Sequence, residues 1–327
     1  LILRIFFSAA NIMPQICDSS LGSKAVAEMR NIPITAEEEY AKNKELKKEQ
    51  ISLIRAWMKT QSHLPIVNDE QLILFHHSCY YKMEDTKACI ETFYTLRTNT
   101  PQFFSNRDLT RPELQQALQT LEYGCLPNKD PNGYQIIFHR LRLFEANKYV
   151  FSDGVKLLMM AMEACMLVEG TVPGYLFLFD MRGVRLSHLT RLSISLLKKF
   201  FLYIQEGIPV RLKAIYVINT HSLIDKIMFV IKPFIKKEMM DLIHFYAADE
   251  MEDVFKILPK SCLPSDYGGE IESASVLHAQ YIQWMNKLST HWRVEEEYRV
   301  DESKRVNKKA KHAVPQPDLS LKTLELD

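Results

Sequence analysis

The chain has 327 residues, of which 47% are hydrophobic, and its formal net charge is +1. This length suits about two domains, and the apolar share is enough for a sizeable core. A charge near zero gives no basis for nucleic-acid binding, and 10 glycines are too few for glycine-rich phosphate loops. The 6 cysteines form no CxxC pair and predict reduced core thiols, as in a cytosolic protein.

Residues 1–23 do not resemble part of a folded domain. The first seven residues are apolar but too few to span a bilayer, and no basic segment precedes them as in a signal peptide. Because the first methionine is Met13, we expect residues 1–12 to be a non-native leader and folding to start after residue 23. No later stretch has about 18 uninterrupted apolar residues, so the sequence predicts no transmembrane helix.

Residues 24–125 predict an all-helical domain. Apolar residues keep helical spacing among many lysines and glutamates over 37–59, which indicates a surface helix with one buried stripe. Pro112 suits the first turn of a helix that runs to Glu122. The adjacent His76 and His77 point in different directions on a helix, which favours structural roles over a metal site.

A dense cluster of turn residues at 127–133 marks the start of a second domain. Beyond it, strand and helix patterns alternate, which predicts an α/β fold with a mostly parallel sheet. Asp180 follows a buried strand, where it could be catalytic or could form a turn, and the turn is favoured. No catalytic motif is present, so we predict no enzyme activity, no metal and no cofactor. The expected strands span 134–141, 174–180, 211–219 and 243–247.

The stretch 222–231 predicts an amphipathic helix between two of these strands. Its apolar residues form one broad stripe, and Pro233 should end or kink the helix near Lys232. Phe229 falls outside the stripe, near Lys232 and Lys236. This pattern is typical of a helix that covers a sheet, and also of a helix that lies on a membrane surface; the pattern alone favours the cover.

Several separated motifs resemble the CRAL-TRIO lipid-binding family over about residues 45–290. The segment 263–270, LPSDYGGE, is similar to the family's closing LPxEYGG element, with Asp266 in the usual Glu position. Residues 231–235 resemble the family's lid segment, and 217–219 the strand end before it. Further matches to the helical N-terminal domain and to the insect retinaldehyde-binding-like and alpha-tocopherol-transfer-like branch are Trp57, Leu64-Pro65, Asp69, Leu72, Tyr94-Thr-Leu-Arg97 and Phe103-Phe104.

The resemblance implies an α/β fold with a mostly parallel five-stranded sheet, flanking helices and a lid helix, preceded by an all-α N-terminal domain. The expected domains are 24–125 and 126–291, followed by a charged tail, 292–327, without fixed structure from about Asp301. The implied function is a carrier of one small hydrophobic ligand that is tocopherol-, retinoid- or phospholipid-like. The alternative is a lipid-sensing adaptor that recruits a partner protein to membranes.

The resemblance also implies site residues and partners. Arg211 and Lys213 match basic positions that bind phosphoinositide headgroups in that branch, whereas Glu238 and Leu242 stand at other such positions. We expect a cytoplasmic monomer that associates transiently with anionic membranes and binds no nucleic acid. The implied residues are Tyr175, Phe179, Phe200, Tyr203, Ile204, Ile208, Leu212 and Ile215 for the pocket, Leu223, Ile224, Ile227, Met228, Phe229 and Ile231 for the lid, and Arg211, Lys213, Lys236 and Lys237 for the membrane contact.

Overall fold

A computed structural model describes residues 33–306 of the chain. The expected leader, 1–23, lies outside the described residues, as do residues 307–327 of the expected tail. In the described part, five strands form one sheet in the order β1-β2-β3-β4-β5. β1 runs antiparallel to β2, and all other neighbours are parallel, so the predicted fold class is confirmed. The strands are β1 (Leu121–Cys125), β2 (Gln135–Leu141), β3 (Tyr175–Asp180), β4 (Leu212–Thr220) and β5 (Ile243–Ala247).

Helices precede the sheet and connect its strands. The N-terminal helices are α1 (Ala36–Lys42), α2 (Lys48–Thr60), α3 (Asp69–Ser78), α4 (Met83–Asn99), α5 (Pro101–Phe104) and α6 (Pro112–Thr120). The later helices are α7 (Phe151–Glu169), α8 (Leu186–Leu189), α9 (Ile194–Leu202), α10 (Ile224–Ile231), α11 (Lys237–Met240), α12 (Met251–Ile257), α13 (Ala274–Asn286) and α14 (Ser289–Glu295). A π-helical turn, Tyr203–Gly207, continues α9.

The first sheet strand lies inside the region that was expected to be helical. Pro112 does begin α6, but the helix ends at Thr120 and does not reach Glu122. The next five residues are all buried and pair with β2, because pairing there satisfies the backbone polar groups of a buried segment. The sheet therefore starts earlier than the expected boundary at residue 126.

Both faces of the sheet are covered. Side chains alternate between the faces of a strand, and Phe138, Leu176 and Leu178 pack with Val254 of α12 on one face. The opposite face meets α7 at the start of the strands, where Ile137 and Tyr175 share a core with this helix. Farther along the strands, this second face lines a cavity.

The end of the described chain is folded, contrary to the expected tail from residue 292. Trp292 on α14 and Val300 are 2% and 6% exposed, and the Arg305 guanidinium pairs with Glu91 at 2.9 Å. The prediction from charge content was wrong for residues 301–306, because a few anchors pack the segment 292–306 onto the helical region despite the many charges around them.

A buried ion-pair cluster joins the helical region to α7. Arg97 and Arg107 both pair with Glu163, and each is fully buried while Glu163 is 8% exposed. Burial alone would raise the pKa of Glu163, but the two guanidinium groups outweigh it and lower the pKa to about 2. Glu163 is therefore ionised at neutral pH.

The described cysteines are free thiols, namely Cys79, Cys89, Cys125, Cys165 and Cys262. All of these except Cys79 are buried, as expected for core thiols. Cys17 lies outside the described residues.

Candidate functional site

An apolar cavity of about 290 Å³ lies between the sheet and helices α7, α9 and α10. Its floor includes a row of side chains that run in register across all five strands. Each member pairs with the next through the strand register, and all lie on one face because strand side chains alternate. The row is Tyr123, His139, Phe179, Val217 and Phe245.

The helix α10 covers the part of this cavity that lies over β4 and β5. It connects these two strands, and its end shares an apolar cluster with Leu212, Ile215 and Ile243. Three residues of the 3₁₀ turn Lys232–Phe234 follow, where Pro233 ends the helix as predicted. None of the residues of α10 is fully buried, so the helix is a thin cover with weak attachment to the core.

The side chains of α10 divide as the helical spacing predicts. The cavity-lining residues are Ile224, Ile227, Met228 and Ile231. Phe229 points away and is 66% exposed. Leu223 caps the start of the helix and does not line the cavity.

The expected pocket residues fall into two groups. Those that line the cavity are Phe179, Phe200, Ile204, Leu212 and Ile215. Tyr175 lies at the start of β3 in the core beneath α7. Tyr203 packs against Phe93 and Phe104 of the helical region, at ring distances of 5.7 and 4.9 Å, and Ile208 joins the same core.

Several lining residues were not expected from the sequence. Phe245 and Ile243 on β5 follow from strand alternation, since they face the same way as Ile215 and Val217 on β4. Phe151 and Leu158 come from α7, and Leu189 from α8. No residue pattern in these two helices indicated which face would meet the cavity.

Polar groups in the cavity wall are few, and they gather at the β1–β2 side. The His139 ring stacks between Tyr123 and Phe179, 4.7 Å from each ring. Burial lowers the pKa of His139 to about 4, which the charge of Asp180 only partly opposes. The imidazole is therefore neutral near pH 7. Tyr149 and His188 also line this side, with their rings 5.7 Å apart.

Arg211 and Lys213 contact aromatic residues of the turn between α3 and α4. The Arg211 guanidinium lies 4.2 Å from the Tyr80 ring centre, and its Nε donates to the His77 carbonyl at 2.8 Å. Lys213 Nζ lies 3.0 Å from the Tyr80 hydroxyl. Tyr80 has a positive φ of 51°, so these contacts hold a strained turn in place.

Lys236 and Lys237 begin the short helix α11 on the cavity side of the fold. Lys236 pairs with Glu206 at 2.8 Å, and Lys237 is exposed. The chain from α11 leads into β5, which pairs with β4 just after Lys213. Because β4 and β5 are parallel, they begin at the same end of the sheet. All four expected membrane residues lie before or at the start of these strands and therefore toward that end.

Asp180 has the contacts of a structural turn residue. It is 1% exposed, and its carboxylate accepts from the Arg182 backbone at 2.9 Å and from Asn219 Nδ2 at 2.8 Å. These contacts fix the turn after β3, as the favoured interpretation predicted. Among residues 33–306, no group of three or more His, Cys, Asp or Glu side chains could hold a metal ion.

Taken together, the sheet, its covering helix and the cavity define an α/β domain that encloses a small apolar site. The family model for the CRAL/TRIO domain matches residues 120–269, and a model described as a Pinta-like UBA domain matches residues 43–114. Residues 120–269 therefore carry a CRAL/TRIO domain, as the closing motif predicted.

The curated relatives are similar to the chain over part of their length. "Alpha-tocopherol transfer protein-like" of Homo sapiens is 26% identical over 213 residues, which are 64% of this chain and 61% of that protein. Clavesin-2 of Rattus norvegicus is 23% identical over 196 residues, 60% of this chain and 58% of that protein. The chain thus spans about three fifths of the length of the curated relatives it matches.

The crystal structure of Sfh5 aligns with 80% of this chain and 88% of its own, at 13% identity and a TM-score of 0.44. A structural similarity this low supports no conclusion about function. Among the described helices, none has the length and apolar character that crossing a membrane requires.

Proposed function

We propose that this protein is a carrier that binds one small hydrophobic molecule in the cavity beneath α10 and exchanges it at membranes. The ligand class is tocopherol-, retinoid- or phospholipid-like. The observation that carries the proposal is the cavity itself, whose wall is almost wholly apolar and whose cover is a helix without a buried residue. Burial of an apolar ligand there removes its surface from water, which is the main source of affinity at such sites.

The cover supports exchange as well as binding. A helix that is apolar inside and carries an exposed phenylalanine outside could lie on a bilayer when it leaves the cavity. Phe229 is that phenylalanine, and lysines follow at positions 232, 236 and 237. We therefore propose that α10 is a lid and that the protein is a cytoplasmic monomer that visits anionic membranes transiently.

The basic residues Arg211, Lys213, Lys236 and Lys237 are our candidates for the anionic contact, including phosphoinositide headgroups. In the structure Arg211 and Lys213 contact Tyr80, and Lys236 contacts Glu206. A headgroup would have to compete with these contacts. Each Lys or Arg near an anionic surface contributes about 1 kcal/mol to binding, which is of the same order as a cation–π contact.

The test is a ligand transfer assay between vesicles. Fluorescent retinoid and tocopherol analogues, phosphatidylinositol and phosphatidylcholine are titrated into the full chain and then followed from donor to acceptor vesicles. A carrier binds at least one of them with a Kd below about 10 µM, or about −7 kcal/mol, and accelerates its transfer. Failure of the whole panel to bind would contradict the proposal.

The same assay separates the carrier from the lipid-sensing adaptor. An adaptor would bind ligand in the cavity but leave the transfer rate unchanged. It would also retain a stable partner protein in a pull-down with the ligand-loaded chain. Transfer without a retained partner supports the carrier.

A further inference from the structure

His139 and His188 both bring an imidazole to the cavity wall, and the buried Nε2 of His188 has no hydrogen-bond partner. Of the two, His139 lies in the cross-sheet row. Its side chain is only half-buried by protein, and it lines the cavity. Within residues 33–306, neither ring nitrogen forms a hydrogen bond. The rings of Tyr123 and Phe179 hold the imidazole from both sides but offer it no hydrogen bond. Both ring nitrogens are therefore free to bond a polar group of a ligand.

The hydrogen-bonding capacity of this imidazole restricts what the partner can be. A neutral imidazole has one donor nitrogen and one acceptor nitrogen. Either nitrogen can bond a hydroxyl group, and the donor nitrogen can also bond a carbonyl oxygen. A carboxylate or phosphate would bring a charge into an apolar cavity without a counter-ion, which is strongly unfavourable. The neighbouring Tyr123 hydroxyl is already used, since it donates to the Gly154 carbonyl at 2.8 Å.

The position of His139 in the sheet determines how a ligand bonded to it would lie in the cavity. His139 is on β2, whereas α10 lies over β4 and β5. Three strand spacings separate His139 from Phe245 in the cross-sheet row, which is about 14 Å. A ligand that lies along this row with its polar group at His139 has its apolar end beneath Ile227 and Met228 of α10.

From this arrangement we infer that His139 selects and orients the ligand. The ligand class is an elongated apolar molecule with one uncharged oxygen group at one end, an alcohol, aldehyde or ketone. The oxygen group lies at His139, away from the lid, and the apolar end lies under the lid. This inference rests on the proposed function, because it assumes that a ligand occupies the cavity.

The test compares two probes that differ only in the oxygen, 1-dodecanol and dodecane. Both compete against N-phenyl-1-naphthylamine, a fluorescent apolar dye, on the full chain and on His139→Phe. The variant keeps a flat ring between Tyr123 and Phe179 but has no nitrogen. Because the probes differ in their affinity for water, the informative quantity is how the dodecanol-to-dodecane affinity ratio changes between the two proteins.

We expect His139→Phe to lower this ratio roughly ten-fold, mainly through the alcohol. The control His244→Phe, an exposed histidine that stacks on Tyr216 on the opposite face of the sheet, leaves the ratio unchanged. An equal ratio in wild type and His139→Phe overturns the inference and leaves the carrier proposal standing. Dodecanoate that competes as well as dodecanol at pH 8 also overturns it. No binding of the dye or of any probe counts against the carrier proposal itself.

A measurement on the wild type covers the case in which His139→Phe does not fold. In nitrogen-15 NMR spectra of the histidine rings, dodecanol should shift the His139 resonances, and dodecane should not. Contacts from the terminal methyl of dodecanol to the Met228 methyl group support the orientation. Contacts from that methyl to the His139 ring, or no dodecanol-specific shift, overturn it.

Discussion

The substitution Phe229→Asp should separate the lid role of α10 from that of a fixed cover. Phe229 is 66% exposed, so only about a third of the 1.5–3 kcal/mol available from full burial, about 0.5–1 kcal/mol, is lost from the folded state. Insertion of the exposed part of this side chain into a bilayer interface could contribute about 1–2 kcal/mol to membrane binding. This corresponds to a factor of roughly 5–30 in the binding constant. Added negative charge near an anionic surface acts in the same direction.

We therefore expect Phe229→Asp to leave ligand affinity and melting temperature nearly unchanged and to slow vesicle-to-vesicle transfer roughly ten-fold. The matched variant is Ile227→Asp on the inner side of the same helix, where the side chain lines the cavity. It should weaken ligand binding or stability instead, because a carboxylate then faces an apolar cavity. The assays are thermal unfolding, dye competition and transfer between vesicles of stated composition.

An unchanged transfer rate in Phe229→Asp, with ligand binding intact, would refute the membrane role of this side chain. In that case α10 does not touch the membrane through its outer face. A large loss of stability in Phe229→Asp would instead mean that this phenylalanine packs in the core, against the exposure seen in the structure.

Two further predictions concern charged residues. The double variant Arg211→Glu and Lys213→Glu should weaken binding to anionic vesicles and reduce the salt dependence of that binding. Sedimentation of the protein with vesicles at two salt concentrations measures both effects. The control is Tyr80→Leu, which removes the ring but no charge, and unchanged vesicle affinity of the double variant would falsify the placement of these residues at the membrane. Glu163→Gln should reduce the free energy of unfolding at pH 7 by about 3–5 kcal/mol, because two buried guanidinium groups lose their carboxylate. Since the pKa of Glu163 is lowered to about 2 in the folded state, its contribution is fully present above its ordinary pKa near 4.5 and is lost as pH falls toward 2. Urea unfolding of wild type and Glu163→Gln between pH 7 and 3 should show the difference between them shrinking below pH 4.5; a constant difference contradicts this assignment.

The fold and the helix that covers the cavity were largely predictable from sequence, because both depend on local periodicity. The helical spacing of residues 222–231 set Ile227 inward and Phe229 outward, and the structure has this division. Phe179 and Ile215 were expected from the family resemblance, and both line the cavity. The fifth strand was expected only from the family resemblance, because the sequence of β1 was interpreted as the end of a helix.

The remaining site features depend on contacts between distant segments. Tyr175 shares a face with Phe179, but α7 covers that end of β3, and no local pattern shows how far a helix reaches along a sheet. The π-helical turn at 203–207 places Tyr203 against the helical region. The stacking of Arg211 on Tyr80 joins residues more than a hundred positions apart, and no local pattern indicates such a contact.

The most direct test of the cavity as a ligand site is native mass spectrometry of the full chain purified from its own tissue. We predict one adduct per chain, with the mass of a single small apolar molecule, that organic extraction removes. The adduct should decrease in Ile227→Asp and persist in Phe229→Asp. A chain that carries no adduct and takes up none of the panel ligands would contradict the account.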